Sequence, residues 1–440
     1  MAKQLLVGVA KSEITPSGSV PMAGYMARTG CSLGVHDPLW ARCFVFQYGQ
    51  EQGCLIILDL LGIHEYWANE IKFQVAATTN LLPEKVAVTC THTHSGPAGF
   101  DTPPSAEKTM LSVIEKTFIN IKFAVKKAIQ NMCPVQVGVG TITVTGIAGH
   151  RIDPGRIVDQ TLWGVTFWEA GDNLKGVLAN FPVHSTVLGP ENRFLSGDLL
   201  GTAAARAEYL LGGNTVVALT CGAAGDISTR FFRQRQDFAE LERLGKILSD
   251  AIVRLVHQIS ITGSADFAMR RRQCWLPYRP SPPIEEVQRI IAERQAELAA
   301  LMRRPNITSG ELRIVQTQIE GAKLLLDLVQ RGIFASGGVQ TSLVGVRIGN
   351  GIIVGVPGEP FNMLAKIVRG FTPAGFHSAV MGLTDGYSGY FPDQEAIEKG
   401  WYEALASPFD HRALVVLGKE TQKLLQELCT NIQASRLLSK

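Results

Sequence analysis

Short apolar runs rich in β-branched residues alternate along the chain with segments of helical periodicity. The apolar runs predict strands at 5–10, 41–48, 54–60, 86–90, 135–144, 162–168, 175–181, 215–220, 264–275, 341–348, 351–356 and 376–383. The helical periods predict helices at 65–79, 106–130, 198–211, 236–258, 360–369 and 413–434. This alternation is typical of an α/β fold, and the close spacing of several strands favours mixed sheets. We therefore expect one large α/β domain.

Segment 283–332 differs from the rest in composition. It is rich in Ala, Leu, Glu, Arg and Gln, and its helical pattern breaks between Pro305 and Gly310. This pattern predicts a helical hairpin inserted into the domain. A decorated surface insertion is one interpretation, and a lid or a subunit contact is the other. No linker divides the sequence, so the predicted domain spans 1–440.

Composition excludes several classes of function. The net charge is +3 and charged residues make up 18% of the 440 positions, which argues against a nucleic-acid partner bound through bulk charge. The longest apolar runs, such as 54–63, fall short of the roughly 20 residues that a transmembrane helix needs. The first apolar run is too short for a secretory signal. The eight cysteines form no CxxC pair and several lie in apolar runs, so we expect buried thiols and a cytoplasmic location.

The strongest candidate for chemistry is the segment VTCTHTHSGPAGF at 88–100. A buried strand leads directly into His92 and His94, which lie two residues apart. On an extended backbone both imidazoles face the same side. Either both bind a metal, or one binds a metal while the other contacts substrate. Two structural histidines at a strand end are the alternative.

Further polar residues follow other apolar strands. His184 ends the run 178–183, and Glu359 follows 351–356. Tyr387 and Tyr390 follow 376–383. Taken singly, each has a structural interpretation, as a satisfied histidine, a helix-start carboxylate or packing tyrosines. Taken together, nitrogen and oxygen donors at several strand ends predict a catalytic metal site with an open position.

Three more residues are candidates for substrate contacts. Arg151 lies in the loop 146–160, where a surface ion network is the alternative. Ser228 ends CGAAGDIS, whose small residues permit close approach of a ligand, although a tight turn explains them equally. Tyr402 lies in the later stretch WYE. The GxSxG motif of serine hydrolases does not occur at Ser228.

The motifs together resemble a known family. VGVAKSEITP, MAGYMAR, GVHDPLWARCFVF, LIILDL, THTHSGPAG, NFPVHSTV, SGDLLG, GAAGDIS, VPGEPF and the tyrosine stretch ending in WYE occur in the order found in the catalytic domain of the neutral/alkaline non-lysosomal ceramidases. THTHSGP is the most specific of them. The resemblance implies a zinc amidohydrolase that cleaves the N-acyl bond of ceramide by means of a metal-activated water.

The resemblance also implies roles for individual residues. His92, His184 and Glu359 are similar to the family's zinc ligands, and a tyrosine completes that set. Tyr387 is preferred to Tyr390 as this ligand. The residues that match the family's substrate-contacting positions are His94, Arg151, Ser228 and Tyr402. His94 is the candidate for moving a proton to the leaving amine.

The chain departs from the family pattern in three ways that bear on its substrate. We expect no signal peptide, no C-terminal immunoglobulin-like domain, and a helical insertion that alters the mouth of the site. The expected substrate is therefore a small-molecule or lipid N-acyl compound, with ceramide as one candidate. The alternatives are a hydrolase of the same scaffold acting on a lactam, lactone or ester, and a non-catalytic metal- or ligand-binding protein. Assembly into a homo-oligomer is left open.

Overall fold

The computed structural model describes residues 4–104, 110–212, 214–263, 265–307 and 309–437. The strands are β1 (Leu5–Glu13), β2 (Gly34–Val35), β3 (Trp40–Tyr48), β4 (Glu51–Leu58), β5 (Val86–Cys90), β6 (Cys133–Pro134), β7 (Gln136–Thr143), β8 (Gly149–His150), β9 (Thr161–Glu169), β10 (Asn173–Phe181), β11 (Phe194–Leu195), β12 (Val216–Cys221), β13 (Ile227–Ser228), β14 (Phe267–Pro277), β15 (Gly338–Ile348), β16 (Gly351–Gly355), β17 (Glu359–Pro360), β18 (His377–Met381) and β19 (Tyr390–Phe391). The helices are α1 (Glu65–Ala76), α2 (Leu111–Gln130), α3 (Asp198–Leu211), α4 (Phe238–Gln258), α5 (Ile284–Leu301), α6 (Ser309–Gln330), α7 (Met363–Gly370), α8 (Gln394–Glu398), α9 (Tyr402–Leu405) and α10 (His411–Leu437).

Three larger sheets carry the architecture. Their strand orders are β5-β4-β3-β1-β6, β12-β10-β9-β7 and β14-β15-β16-β18. Each sheet combines antiparallel pairs with one parallel pair, namely β4 with β5, β10 with β12, and β16 with β18. The mixed α/β class predicted from the sequence is confirmed. Predicted residues 106–109 and 264 lie outside the described part of the chain.

The three sheets share a central apolar core. Phe46 of β3 stacks on Phe267 of β14 with ring centroids 4.9 Å apart, and it packs against Phe167 of β9 at 5.8 Å. The outer faces of the sheets are covered by helices: α1 and α2 on the first, α3 and α4 on the second, and α7 and α10 on the third. Because both faces are buried, the strands are nearly continuous apolar runs, which is why they were recognisable in the sequence.

Helix α4 shows how the sequence specifies an outer helix. The Asp237 carboxylate accepts a hydrogen bond from the backbone N–H of Glu240 at 2.9 Å and caps the first turn. Its buried apolar positions recur at helical spacing, at Leu241, Leu244 and Leu248. The cap fixes where the helix begins, and the apolar stripe fixes which face packs on the second sheet.

Helices α5 and α6 lie within the segment for which a helical hairpin is predicted. They contact each other, and α6 also contacts the short helix α9. At the contact with α9, a Cβ added to Gly321 would lie 2.9 Å from the carbonyl oxygen of Tyr402, so glycine permits the close approach. That 283–332 is an insertion into the domain stays a prediction. No helix in the described part of the chain combines the length and the apolarity needed to cross a bilayer.

The carboxyl ends of the parallel pairs meet at one place. The Thr89 hydroxyl of β5 donates to the Gly382 carbonyl, just beyond β18, at 2.9 Å. The Gly382 N–H donates to the Cys221 carbonyl at the end of β12 at 3.0 Å. One strand end from each of the three sheets is thus joined by hydrogen bonds. Loops that leave these ends lie side by side, as ligand-binding loops of α/β sheets do.

Candidate metal centre and active-site cavity

His92 and His94 leave β5 and turn toward one another. His92 adopts a positive φ of 62°, a conformation that is uncommon for a residue other than glycine. The expectation of an extended backbone at this point is therefore wrong, and the shared direction of the rings has another cause. The His92 Nδ1 contacts the Leu61 carbonyl at 2.7 Å, and the His94 Nδ1 contacts the Gly24 carbonyl at 2.9 Å. The two Nε2 atoms lie 3.3 Å apart.

His184 joins the two histidines from the second sheet. It follows β10, and its Nδ1 contacts the carbonyls of Ala224 at 2.7 Å and Ile227 at 3.1 Å. Its ring centroid lies 4.6 Å from that of His92. The candidate ligand atoms of His92, His94 and His184 all lie within 4.8 Å of one another, an arrangement that can hold a metal ion. Residues from two sheets therefore form one cluster.

Glu359 lies in β17, which pairs with β19 just beyond the third sheet, and brings a carboxylate into this cluster. Its Oε2 lies 2.8 Å from the His184 Nε2 and 3.1 Å from the His92 Nε2. Its Oε1 accepts a hydrogen bond from the Tyr387 hydroxyl at 2.9 Å. Burial raises the pKa of this carboxyl, but His92 and His184 lower it more, and the net pKa lies well below the usual value. Glu359 is thus an anion in the cluster.

The protonation of the cluster follows from the carbonyl contacts. A ring nitrogen that faces a carbonyl must carry a proton, so we assign a proton to the Nδ1 atom of each of the three imidazoles. Burial lowers the pKa of His184 to about 4 and that of His94 well below its usual value, which keeps both rings neutral. The Nε2 atoms of His92 and His184 face the Glu359 Oε2, which has no hydrogen-bond donor among the described residues.

This electron-rich cluster fits a divalent cation. Lone pairs and a carboxylate oxygen packed together without a proton repel one another, and a cation between them relieves the repulsion. Two or three imidazoles with one carboxylate form a donor set typical of zinc. The backbone carbonyls at Nδ1 fix the tautomer and the ring orientation, as the outer partners of metal-binding histidines commonly do.

Both candidate tyrosines reach the cluster, each at a different atom. The Tyr387 hydroxyl donates to Glu359, and the ring of Tyr387 packs where a Cβ on Gly62 would lie 2.9 Å from it. The Tyr390 hydroxyl lies 3.5 Å from the His184 Nε2 and accepts a hydrogen bond from Arg151 at 3.4 Å. The preference for Tyr387 over Tyr390 as a metal ligand therefore stays a prediction.

A cavity of about 320 Å³ opens on the cluster. The residues predicted to contact substrate all line it: His94, Arg151, Ser228 and Tyr402. The predicted metal ligands His92, His184 and Glu359 are buried. The predicted metal ligands thus lie in a buried cluster and the predicted substrate contacts lie in the wall of an adjoining cavity, with His94 belonging to both.

Arg151 is held in the cavity wall by Glu403. Its guanidinium lies 2.9 Å from the Glu403 carboxylate and 5.8 Å from the ring centroid of Tyr402. Burial alone would lower the pKa of Arg151, but Glu403 more than offsets this and holds the pKa above its usual value. Burial raises the pKa of Tyr402 to about 12, so its hydroxyl stays a proton donor at neutral pH. The wall therefore offers a fixed cation and a neutral donor.

Two residues that hold the site in place, Gly24 and Glu403, lie in the sequence motifs described above. No function was predicted for either of them from the sequence. Gly24 of MAGYMAR has φ 102°, and a Cβ there would lie 2.6 Å from the His94 ring. Glu403 of WYE anchors Arg151. Arg230 and Arg233 also line the cavity, and no motif pointed to them. Each of these four residues contacts a side chain or lines a cavity that distant parts of the chain form together. A local sequence pattern does not reveal such long-range contacts.

The chain is similar in sequence to a known protein family and to several of its members. The sequence model of the family "Neutral/alkaline non-lysosomal ceramidase, N-terminal" matches residues 5–235, more than half of the chain. The chain is 26% identical over 224 residues to the neutral ceramidase of Pseudomonas aeruginosa, covering 46% of this chain and 33% of that protein. It is 25% identical over 219 residues to the neutral ceramidase of Drosophila melanogaster, covering 45% of this chain and 31% of that protein. These matches span about a third of the relatives' length.

The solved structures extend the similarity of fold beyond the sequence match. The crystal structure of the Pseudomonas aeruginosa neutral ceramidase superimposes with a TM-score of 0.76 at 20% identity, covering 97% of this chain and 75% of that one. A structure described as ceramidase complexed with C2 gives a TM-score of 0.70 at 20% identity, covering 97% and 76%. The likeness in fold therefore extends well beyond residues 5–235, which the family's sequence model matches.

Proposed function

Because the chain belongs to the neutral/alkaline non-lysosomal ceramidase family, we propose that it is a zinc-dependent hydrolase that cleaves an N-acyl amide bond. The main support for the proposal is that the Nε2 atoms of His92 and His184 contact the buried Glu359 carboxylate beside a cavity. The relatives are neutral ceramidases, which supports an amide as the bond cleaved. The proposed catalytic unit is the whole α/β domain, with 283–332 as its insertion.

We propose that His92, His184 and Glu359 hold the metal, with Tyr387 as the fourth protein ligand. His94 is a further donor within reach, since its Nε2 lies 3.3 Å from that of His92. When bound, zinc polarises a carbonyl and lowers the pKa of water to about 7. The three Nδ1 contacts to backbone carbonyls hold the rings in place before the metal arrives, which limits the reorganisation that binding requires.

The remaining residues bind and orient the amide. Arg151, fixed by Glu403, places a positive charge in the cavity wall, and the Tyr402 hydroxyl supplies a neutral donor. Both are suited to the oxygen of the amide, on which negative charge develops during attack at the carbonyl carbon. The Ser228 hydroxyl holds another polar group of the substrate.

His94 moves the proton in this proposal. It lines the cavity, its Nδ1 is occupied by the Gly24 carbonyl, and its Nε2 faces the cluster. Its low pKa makes the neutral form dominant, so its Nε2 can accept a proton from the water molecule whose oxygen bonds to the amide carbonyl carbon. It then gives this proton to the leaving amine, which departs as the C–N bond breaks.

The experiment is a measurement of metal content and activity on purified protein. We expect about one zinc per chain and hydrolysis of N-acyl substrates that stops on chelation and returns with zinc. His184→Ala and Glu359→Gln should lose both metal and activity, whereas His94→Gln should retain more metal than activity. Activity that survives complete removal of the metal would contradict the proposal, as would metal-loaded protein that cleaves no amide.

A further inference from the structure

The cavity beside the metal cluster is unusually rich in guanidinium groups. Arg151, Arg230, Arg233 and Arg313 all line it, and Glu320 is the carboxylate among its lining residues. Ordinary clefts with charged walls carry both signs, because an uncompensated buried charge is costly. We would therefore expect each of these arginines to have its own carboxylate partner.

Two of the four arginines are paired. Arg151 lies 2.9 Å from the Glu403 carboxylate. Arg313, on α6, donates to both carboxylate oxygens of Glu320 at 2.8 and 3.1 Å. The bidentate geometry of this second pair satisfies both groups. These two cations are therefore largely neutralised by the protein.

The other two arginines have only neutral acceptors. Arg230 donates to the Arg151 carbonyl at 2.9 Å, and Arg233 donates to the Thr186 carbonyl at 2.7 Å and to the Thr229 hydroxyl at 3.3 Å. Within the described residues, neither guanidinium has a carboxylate within 4.0 Å. Burial lowers the pKa of Arg230 to about 10, so it remains charged at neutral pH. Glu403 and Asp198 act on Arg230 and Arg233 only from beyond ion-pair distance, so the cavity wall carries two guanidinium groups without a carboxylate in direct contact.

We propose that the substrate is an anionic N-acyl compound, with a carboxylate or a phosphate bound by Arg230 and Arg233 while its amide lies at the metal cluster. This inference rests on the proposed function and adds the substrate class. Guanidinium pairs are the usual protein partners of carboxylate and phosphate, and an anion from the substrate supplies the missing countercharge.

The size and the walls of the cavity support the same substrate class. At about 320 Å³ it lies near the lower end of ligand pockets, which range from roughly 300 to 1,000 Å³. Helix α6 contributes Arg313, Gln316 and Glu320 to one wall, all of them polar. A long hydrocarbon chain would meet only polar side chains on this wall, whereas a short, charged amide can form hydrogen bonds with them.

The test uses three substrates with one acyl chain on the full-length, zinc-loaded protein. They are N-octanoylglycine, the phosphate monoester of N-octanoylethanolamine, and neutral N-octanoylethanolamine. We expect kcat/KM to be at least about tenfold higher for the two anionic amides than for the neutral one, as one charge-assisted contact provides. Whichever anion is cleaved faster identifies carboxylate or phosphate as the preferred group.

Variants connect the preference to the two arginines. Arg230→Gln combined with Arg233→Gln should reduce the anionic-to-neutral ratio to within about threefold, since the remaining arginines are already paired. The matched control is Arg235→Gln, an exposed arginine of the same loop that should keep the ratio. Because the ratio is internal to each protein sample, partial unfolding of a variant does not change it. An equal or better rate on the neutral amide, or a ratio that the double variant keeps, would overturn the inference.

A binding measurement separates this inference from the proposed function. Octylsulfonyl derivatives of glycine and of ethanolamine are not hydrolysed, so calorimetry reports their affinity whether or not the protein is an amidase. We expect tighter binding of the glycine derivative, lost in the double variant. If the protein hydrolyses amides but binds the two derivatives equally, the anion site is contradicted and the proposed function is not. If the glycine derivative binds more tightly but no amide is hydrolysed, the hydrolase proposal is contradicted and the cavity is an anion-binding site.

Discussion

At the scale of single residues, the site depends on backbone groups that fix three imidazole rings. Carbonyls of Leu61, Gly24 and Ala224 each face an Nδ1 atom. His92 needs a left-handed backbone to take its place. Such strain is retained where the surroundings over-determine the conformation, which is common at functional sites. The geometry of the ligand atoms is thus set mainly by backbone rather than by other side chains.

Gly24→Ala tests this dependence of His94 on the backbone. The added methyl group would lie 2.6 Å from the His94 ring, so we expect the ring to move and kcat to fall at least about tenfold. The control is Gly18→Ala, which has a similar φ of 94° but no neighbouring atom within 4 Å. Both variants should lose about 1–2 kcal/mol of stability to the left-handed backbone, and only Gly24→Ala should lose activity. Equal activity in the two variants would contradict the account.

A buried carboxyl beside the site predicts how stability depends on pH. Asp226 accepts a hydrogen bond from the Asn362 N–H at 2.7 Å, and burial raises its pKa from 3.8 to about 7. The folded state therefore holds this proton more tightly than the unfolded state does. The contribution of Asp226 to stability is greatest below about pH 4 and falls as pH rises to about 7, by at most about 1.4 kcal/mol per pH unit.

Asp226→Asn keeps an oxygen acceptor and removes the titration. Urea unfolding at pH 5 and pH 8 should therefore show that the native protein loses more stability over this interval than the variant does. Asp153→Asn, at an exposed position in a neighbouring loop, should behave as the native protein. If the native protein and Asp226→Asn respond equally to pH, the buried carboxyl is ionised throughout and this explanation fails.

At the scale of elements, the parallel strand pairs bring the site together. The strand that leads to His92, the strand that leads to His184 and the strand before Glu359 each belong to a parallel pair. Hydrogen bonds between the ends of β5, β12 and β18 then hold these loops next to one another. Helix α6 closes the cavity from another side by packing on α9, which carries Tyr402.

Gly321→Val tests the role of α6. The added side chain would meet the Tyr402 carbonyl and the Leu405 Cβ at about 3 Å, so α9 and the Tyr402 ring must shift. We expect a loss of activity of at least about tenfold, with the fold retained. Lys323→Val places the same residue on the exposed side of the helix and should leave activity unchanged. Full activity in Gly321→Val would show that the position of α6 does not matter to the site.

At the scale of the whole molecule, the sequence predicts local structure better than long-range arrangement. The strands before His92, His184 and Glu359 were predictable, because apolar runs that end in turns are local patterns. The division into three sheets was not, since β5 meets the region beyond β18 across nearly 300 residues. The unpaired charges of Arg230 and Arg233 were hidden for the same reason.

We expect one metal ion to lie between His92, His184 and Glu359. Anomalous diffraction at the zinc absorption edge, on crystals of the full chain grown with zinc, tests it most directly. The account predicts a single strong peak within about 2.0–2.2 Å of the Nε2 atoms of His92 and His184 and of the Glu359 carboxylate. Density without a peak at that point, or a peak bound only by other residues, would contradict it.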